Sequence, residues 1–119
     1  MPKVMLAEDD FTMVALLKTL LGMEGFQVAT LLDKTGEILD NVRREAPELL
    51  LLDVHLGDQN GLDVLQKIRQ AEDLKHIIVI ITSGMNVQRE CVSAGADDFL
   101  LKPYMPDELL RKIRQHLKS

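Results

Sequence analysis

Short apolar runs alternate along this chain with longer segments in which apolar residues recur every three or four positions. The short runs predict strands at residues 3–7, 27–31, 48–52, 77–82 and 98–101. Several of these runs are apolar throughout, which is typical of a strand buried on both faces. The longer segments predict five amphipathic helices. Their apolar stripes are Val14, Leu17 and Leu21; Ile38, Val42 and Ala46; Val64, Leu65 and Ile68; the weaker Val87, Cys91 and Ala94; and Leu109, Ile113 and Leu117.

Glycine and proline support the same boundaries. Gly25 and Gly95 follow the first and fourth helices, where a left-handed residue commonly ends a helix. Pro47 closes the second helix, and Asn60-Gly61 is a turn signal before the third. Five strand–helix repeats predict an α/β fold, a single doubly wound five-stranded parallel sheet with helices on both faces. We find no linker or internal repeat, so residues 1–119 are expected to form one domain.

Composition narrows the class of protein. The chain has 119 residues, 46% hydrophobic and 28% charged, which is ordinary for a globular domain able to bury a core. No apolar run is long enough for a membrane span, and Glu8 comes too early for a signal peptide. Cys91 is the single cysteine and is interpreted as a small helix hydrophobe in a reducing compartment. We therefore expect a cytoplasmic protein without a membrane association.

Charge is unevenly distributed around a net value of −5. Residues 1–60 contain 11 acidic and 5 basic side chains, whereas residues 61–119 contain 8 and 9. The acidic balance argues against direct, non-specific binding of nucleic acid. The basic residues of the last helix are interpreted as a solvated face, and His116 belongs to no motif.

Polar side chains follow four of the predicted strands, at the edge where parallel sheets place their working sites. They are Glu8-Asp9-Asp10, Asp53, Thr82-Ser83 and Lys102. Carboxylates gathered at one edge repel each other unless a cation compensates, and Mg²⁺ prefers such oxygen ligands. Three carboxylates, one Mg²⁺ and Lys102 come to roughly zero net charge, which suits a site that receives a phosphoryl group.

Each of these residues also has a structural interpretation when taken alone. Asp9 and Asp10 are suited to cap a helix, and an aspartate such as Asp53 often forms a turn. Lys102 alone would be assigned to the surface, and Thr82 to a strand. The functional prediction therefore depends on the whole set.

The set resembles the receiver domain of two-component response regulators. Residues 4–10 are similar to the family's acidic N-terminal motif, residues 48–56 with 60–62 to its phosphoacceptor segment, and residues 94–104 to its closing motif. The similarity covers essentially the whole chain. It implies a flavodoxin-like sheet of order 2-1-3-4-5 and identifies Asp53 as the residue that accepts a phosphoryl group.

The resemblance also implies roles for the neighbouring residues. Glu8 and Asp9 would form the Mg²⁺ pair, Asp9 directly and Glu8 through water, and the backbone carbonyl of His55 would add a ligand. Thr82 and Lys102 would bind phosphoryl oxygens. Phe99 occupies the position of the family's switch aromatic, which turns inward as Thr82 moves. The Lys102–Pro103 peptide is expected to be cis, as it often is in receivers.

On this resemblance the protein is a signalling switch rather than a conventional enzyme, although it catalyses its own phosphorylation and dephosphorylation. The donor would be a sensor histidine kinase or a histidine phosphotransfer protein. The signal would pass to an output domain or an effector protein, and the molecule would be a monomer or a phosphorylation-dependent dimer.

Local departures from the family pattern affect the phosphoryl lifetime and the output face. His55 is at a variable position that influences dephosphorylation, and Gly84 presents no side chain to the attacking water. Gly57 stands where proline is common and is expected to loosen its loop. The segment from Thr82 to Lys102 is about two residues shorter than in many members, which predicts a short or shifted fourth helix.

Two enzyme classes, nucleotide binding and one protein-interaction module are the alternatives. Nucleotide binding at a glycine-rich loop is disfavoured because no glycine lies between Lys3 and Lys18. A Toprim-type phosphotransferase expects Asp-x-Asp where this chain has Asp53-Val54-His55, and no basic substrate groove is evident. A haloacid-dehalogenase-type phosphatase needs Asp-x-Asp after the first strand, which Glu8-Asp9-Asp10 does not provide. A receiver that no longer takes phosphate would act only by protein interaction, but the complete set of site residues argues against it.

Overall fold

Strands and helices alternate through residues 2–31 and 37–117, the ranges that the computed structural model describes. The elements are β1 (Lys3–Ala7), α1 (Phe11–Met23), β2 (Gln27–Thr30), α2 (Ile38–Glu45), β3 (Leu49–Asp53), β4 (His55–Leu56), β5 (Gln59–Asn60), α3 (Gly61–Gln70), β6 (Ile78–Ser83), α4 (Gln88–Ser93), β7 (Asp98–Leu101) and α5 (Pro106–Leu117). The five predicted strands are all present, with ends that agree to within one residue.

The five longer strands form one parallel sheet in the order β2-β1-β3-β6-β7. Counted among these five, the order is 2-1-3-4-5, which confirms the predicted topology. Because all the strands run in one direction, their carboxyl ends lie at the same edge of the sheet. The polar residues that follow them are therefore brought together.

Side chains from the central strands pack on both faces of the sheet. Met5 and Leu50 belong to the core layer that includes α2, α3 and α4, whereas Leu6 and Leu51 belong to the layer under α1 and α5. Every residue of β3 is buried. Alternation of side chains along strands with two covered faces explains why these runs are apolar throughout.

A two-stranded antiparallel hairpin of β4 and β5 was not predicted. His55 pairs with Asn60 and Leu56 with Gln59, so Gly57 and Asp58 form the turn. Two-residue strands are too short to show a hydrophobic period, and the sequence indicated only a turn here. The hairpin lies directly between Asp53 and the start of α3.

The helix ends follow the predicted punctuation. Gly25 and Gly95 have φ values of 94° and 107°, the left-handed region that glycine adopts without a Cβ clash. The helix α4 contains six residues, so the prediction of a short fourth helix is confirmed, and Cys91 is buried within it. Within the described ranges, no helix combines the length and apolar character needed to cross a bilayer.

The interpretation of the α5 basic residues as a solvated face is wrong for Lys112, whereas Arg111 and Arg114 are exposed. Lys112 donates to Asp98 Oδ1 at 2.9 Å, and His116 Nε2 lies 2.8 Å from Asp98 Oδ2. Arg114 pairs with Glu24 at the end of α1. These partners are far away along the chain, so helical periodicity could not reveal them.

Candidate functional site

Asp53 is the last residue of β3, at the centre of the polar edge. Its side chain is almost completely buried, and the residue is 6% exposed. Thr82, which is 2% exposed, is its register partner on β6. The parallel register therefore places the predicted phosphoacceptor beside the predicted hydroxyl.

Lys102 bridges two carboxylates from different strand ends. Its ammonium group donates to Asp53 Oδ2 at 2.7 Å and to Glu8 Oε1 at 2.8 Å. Burial alone would lower the pKa of Lys102, but these two hydrogen bonds outweigh it and raise that pKa above its usual value. Lys102 therefore stays charged and supplies the cation of the site in this state. The Lys102–Pro103 peptide is cis, as expected from the resemblance.

Glu8 has both carboxylate oxygens engaged. One accepts from Lys102, and the other accepts from the backbone N–H of Asp10 at 3.1 Å. Burial is the largest influence and raises the pKa of Glu8, helped by the neighbouring Asp53 and opposed by Lys102. The glutamate side chain is long enough to reach the lysine from the loop after β1.

The adjacent aspartates have different roles. Asp10 caps α1, because its Oδ1 accepts from Met13 N–H at 3.1 Å. Asp9 does not cap the helix: its Oδ2 accepts from the backbone N–H of Gly57 at 2.9 Å. The capping interpretation therefore holds for Asp10 alone, and Asp9 faces the segment that follows β3.

The three carboxylates fit a hard divalent cation. Each of Glu8, Asp9 and Asp53 offers one oxygen, and these oxygens lie within 4.8 Å of one another. Asp9 is exposed, which leaves the group open to solvent on one side. The backbone N–H of His55 donates to Asp53 Oδ1 at 3.0 Å, so the residue predicted to contribute a carbonyl lies directly against the site. An all-oxygen set with few carboxylates is the chemistry that suits Mg²⁺.

Two glycines allow the backbone conformation of the loop between Asp53 and α3. A side chain at Gly61 would come within 2.4 Å of the Asp53 carbonyl oxygen, so only glycine lets α3 begin there. Gly57 has a φ of 61° and binds Asp9. The expectation that Gly57 loosens the loop is not supported, because its amide makes a hydrogen bond that proline, lacking an N–H, could not make.

Two aromatic residues lie on or just after β7, and they pack in opposite core layers. Phe99 is 7% exposed and belongs to the core layer of α2, α3 and α4, so its ring is buried. Tyr104 follows Lys102-Pro103, and burial raises the pKa of its phenol to about 12. Sequence reasoning assigned no role to Tyr104 or to the Gly57 amide, because neither burial nor a backbone donor is visible in a local motif.

Comparison with known proteins identifies relatives of this chain. The family model described as the response regulator receiver domain matches residues 4–114. The transcriptional regulatory protein CpxR of Klebsiella pneumoniae subsp. pneumoniae is 38% identical over 119 residues, which are 99% of this chain and 50% of that protein. The chain thus spans about half the length of the curated relatives it matches.

Solved structures share the fold across nearly the whole chain. The BeF3-activated N-terminal receiver domain of Klebsiella pneumoniae RstA has a TM-score of 0.86 at 24% identity, covering 98% of this chain and 99% of that one. The receiver domain of the Pseudomonas aeruginosa sensor histidine kinase PA1611, solved with magnesium in its active-site cleft, has a TM-score of 0.84 at 24% identity, with coverages of 99% and 98%. The chain belongs to the response regulator receiver domain family of two-component systems.

Proposed function

We propose that Asp53 accepts a phosphoryl group from a phosphohistidine and that the resulting acyl phosphate changes the conformation of the domain. The observation that carries this proposal is the arrangement around one buried carboxylate. Asp53 has Thr82 as its register partner and Lys102 at 2.7 Å, with Glu8 and Asp9 close by. Such a site supplies both the nucleophile and the groups that hold the transferred oxygens.

The transfer needs little covalent activation. A carboxylate oxygen of Asp53 forms a bond to phosphorus while the bond from phosphorus to the donor's imidazole nitrogen breaks. The imidazole keeps that electron pair and takes a proton from solvent. Because the transition state is loose, the main task of the protein is to align the reactants and stabilise the equatorial oxygens. Hydrolysis of the acyl phosphate by water then returns the carboxylate and inorganic phosphate.

Lys102 and Thr82 would hold the transferred group. Lys102 already contacts Asp53, so a small movement of its ammonium lets it pair with a phosphoryl oxygen. The Thr82 hydroxyl would donate to a second oxygen from the neighbouring strand. Phe99 is the proposed switch aromatic, and its buried position on β7 is compatible with a ring that responds to Thr82.

The metal would be held by Asp9 and Asp53 directly, by Glu8 through water, and by the backbone carbonyl of His55. When bound, Mg²⁺ supplies positive charge that offsets the carboxylates and the incoming phosphoryl oxygens. The spacing of the three carboxylates supports this assignment. The side chain of His55 is exposed and is proposed only to tune dephosphorylation.

The partners and setting follow from the same proposal. The donor would be a sensor histidine kinase or a histidine phosphotransfer protein in the cytoplasm. Residues 1–119 would act as one domain, monomeric or dimerising on phosphorylation. The CpxR relatives are transcriptional regulatory proteins about twice as long, which supports an output domain or an effector protein as the recipient of the signal.

Phosphorylation is tested with acetyl phosphate and Mg²⁺, followed by intact-protein mass spectrometry. We expect one added phosphoryl group on the wild type and none on Asp53→Asn. The matched control is Asp58→Asn, an exposed carboxylate five residues away in the same segment, which should be modified like the wild type. Uptake by Asp53→Asn at the wild-type rate would falsify the assignment. A wild type that takes up nothing would favour the interaction-module alternative.

The switch is tested separately with beryllofluoride and Mg²⁺. We expect chemical-shift changes and altered hydrogen exchange at Thr82, Phe99 and the last two helices. If these residues keep their shifts and exchange rates in the complex, the switch proposal fails, whatever the result at Asp53.

A further inference from the structure

The backbone amide of Gly57 is a polar group near the site that no motif assigns. It donates to Asp9 Oδ2 at 2.9 Å across 48 residues of sequence. Two residues earlier, the amide of His55 donates to Asp53 Oδ1 at 3.0 Å. Alternate amides of one short segment therefore each bind one carboxylate of the candidate metal site.

The conformation of Gly57 makes this donor available. Gly57 and Asp58 form the two-residue turn between β4 and β5, with a positive φ of 61° at Gly57 and none at Asp58. This is the pattern of hairpin turns that require glycine at the first central position. A Cβ on residue 57 would meet nothing within 4 Å, so any cost of substitution comes from backbone conformation and from the N–H, not from crowding.

The bond fixes one oxygen of an exposed carboxylate. Asp9 is exposed, and the Gly57 amide is its hydrogen-bond donor in this structure. With Oδ2 held by the amide, Oδ1 is the oxygen that would bind a cation. A hydrogen bond from a neighbouring group orients a carboxylate that binds a metal. Removing such a bond typically lowers the metal affinity by about 10–100-fold.

We propose that Gly57 is a positioning residue, whose amide holds Asp9 in the orientation that binds Mg²⁺. This inference rests on the proposed function, because it concerns the same metal site. It predicts an effect on Mg²⁺ affinity rather than on the transfer step. The hairpin thus links the segment after β3 to the acidic loop after β1.

The test measures Mg²⁺ binding by isothermal titration calorimetry in three variants. Gly57→Pro removes the N–H and forbids a positive φ, so we expect about tenfold weaker binding. Gly57→Ala keeps the N–H but strains the backbone, so its Mg²⁺ affinity should lie between those of the wild type and Gly57→Pro. Asparagine tolerates the positive φ, so Gly57→Asn should recover most of the affinity. Gly22→Ala, an exposed glycine of α1 with no neighbour within 4 Å of its Cβ, is the matched control.

Phosphorylation by acetyl phosphate separates positioning from general damage. Phosphorylation of Gly57→Pro should be slower than that of the wild type at limiting Mg²⁺, and its rate should approach the wild-type rate at saturating Mg²⁺. Equal Mg²⁺ affinity in Gly57→Pro and wild type, with urea unfolding unchanged, would overturn the inference.

Amide hydrogen exchange of Gly57 provides a measurement that does not depend on the proline variant. The Gly57 amide should be protected in the wild type and lose that protection in Asp9→Ala; unchanged protection would also overturn the inference. Neither calorimetry nor exchange requires phosphorylation, so failure of the phosphoacceptor assignment would be recognised separately.

Discussion

The ammonium of Lys102 lies 2.7 Å from a carboxylate oxygen of Asp53, 49 residues away in sequence, and it also contacts Glu8. One lysine therefore offsets part of the negative charge of two buried carboxylates. A divalent cation that binds the same carboxylates must share them with this ammonium. We therefore expect Lys102 to raise the free energy of unfolding and to lower the affinity for a divalent cation.

Replacing Lys102 by methionine should lower the free energy of unfolding without metal by about 2 kcal/mol. Breaking a buried pair leaves uncompensated charge, although the side chain of Lys102 is 25% exposed and water screens part of the loss. Mg²⁺ should bind the variant about tenfold more tightly because a nearby like charge is gone. Urea unfolding with and without Mg²⁺ measures both effects. Lys67→Met, at an exposed position of α3, is the control and should change neither quantity appreciably.

Thr82→Ala should slow phosphorylation of Asp53 by about tenfold at saturating Mg²⁺, because one donor to the phosphoryl oxygens is lost while Lys102 remains. Thr82→Ser keeps the hydroxyl and should retain most of the rate. The control is Ser83→Ala: its hydroxyl accepts from the Met85 amide, and strand alternation points it to the opposite face. Equal rates in Thr82→Ala and wild type would exclude a role for the hydroxyl in transfer.

Arg69→Ala should lower the free energy of unfolding by about 2–3 kcal/mol, because a half-buried guanidinium loses several acceptors at once. Arg69 on α3 donates to the backbone carbonyls of Gly95, Lys75 and Ile77 and to the carboxylate of Asp97. These bonds join α3 to the segments before β6 and β7. Arg69→Lys should recover little, since one ammonium cannot reach these acceptors together.

Arg43→Ala is the matched surface control for the Arg69 variants. Arg43 pairs with Asp73 in solvent, where ion pairs contribute little. Thermal or urea unfolding should show a much smaller change than in Arg69→Ala. Similar losses in the two variants would mean that the buried network does not add stability beyond a surface pair.

The contribution of Asp98 to stability should disappear in acid. Burial acts to raise its pKa, but the His116 ring and the Lys112 ammonium outweigh this and hold the pKa below its ordinary value of 3.8. A carboxyl whose folded pKa is depressed stabilises the protein above the unfolded pKa and loses that contribution as the pH falls through the folded one. The stability difference between wild type and Asp98→Asn should therefore shrink as the pH falls below about 4.

Urea unfolding at several pH values between 2.5 and 7 measures this change. Asp58→Asn, in an exposed turn, is the control and should show a small difference with little dependence on pH. A difference for Asp98→Asn that grows on acidification would contradict the assigned direction of the pKa shift.

Much of the fold and the membership of the site followed from local patterns. Uninterrupted apolar runs predicted the strands of the parallel sheet because strands covered on both faces have no polar side. Parallel strands end at one edge, so the residues after them had to meet, which predicted Glu8, Asp9, Asp53, Thr82 and Lys102 together. The β4–β5 hairpin was missed, since two residues cannot display a period.

The pairs of groups across the site could not be predicted from local patterns. Periodicity and the alternation of strands and helices predicted the elements, the parallel sheet and the set of acids, and the family resemblance implied the strand order. The sequence could not show that Lys102 bridges Glu8 and Asp53, that Gly57 donates to Asp9, or that Asp98 binds Lys112 and His116. These contacts depend on side-chain reach and backbone donors between distant segments, and such distances exist only after the sheet and helices have packed.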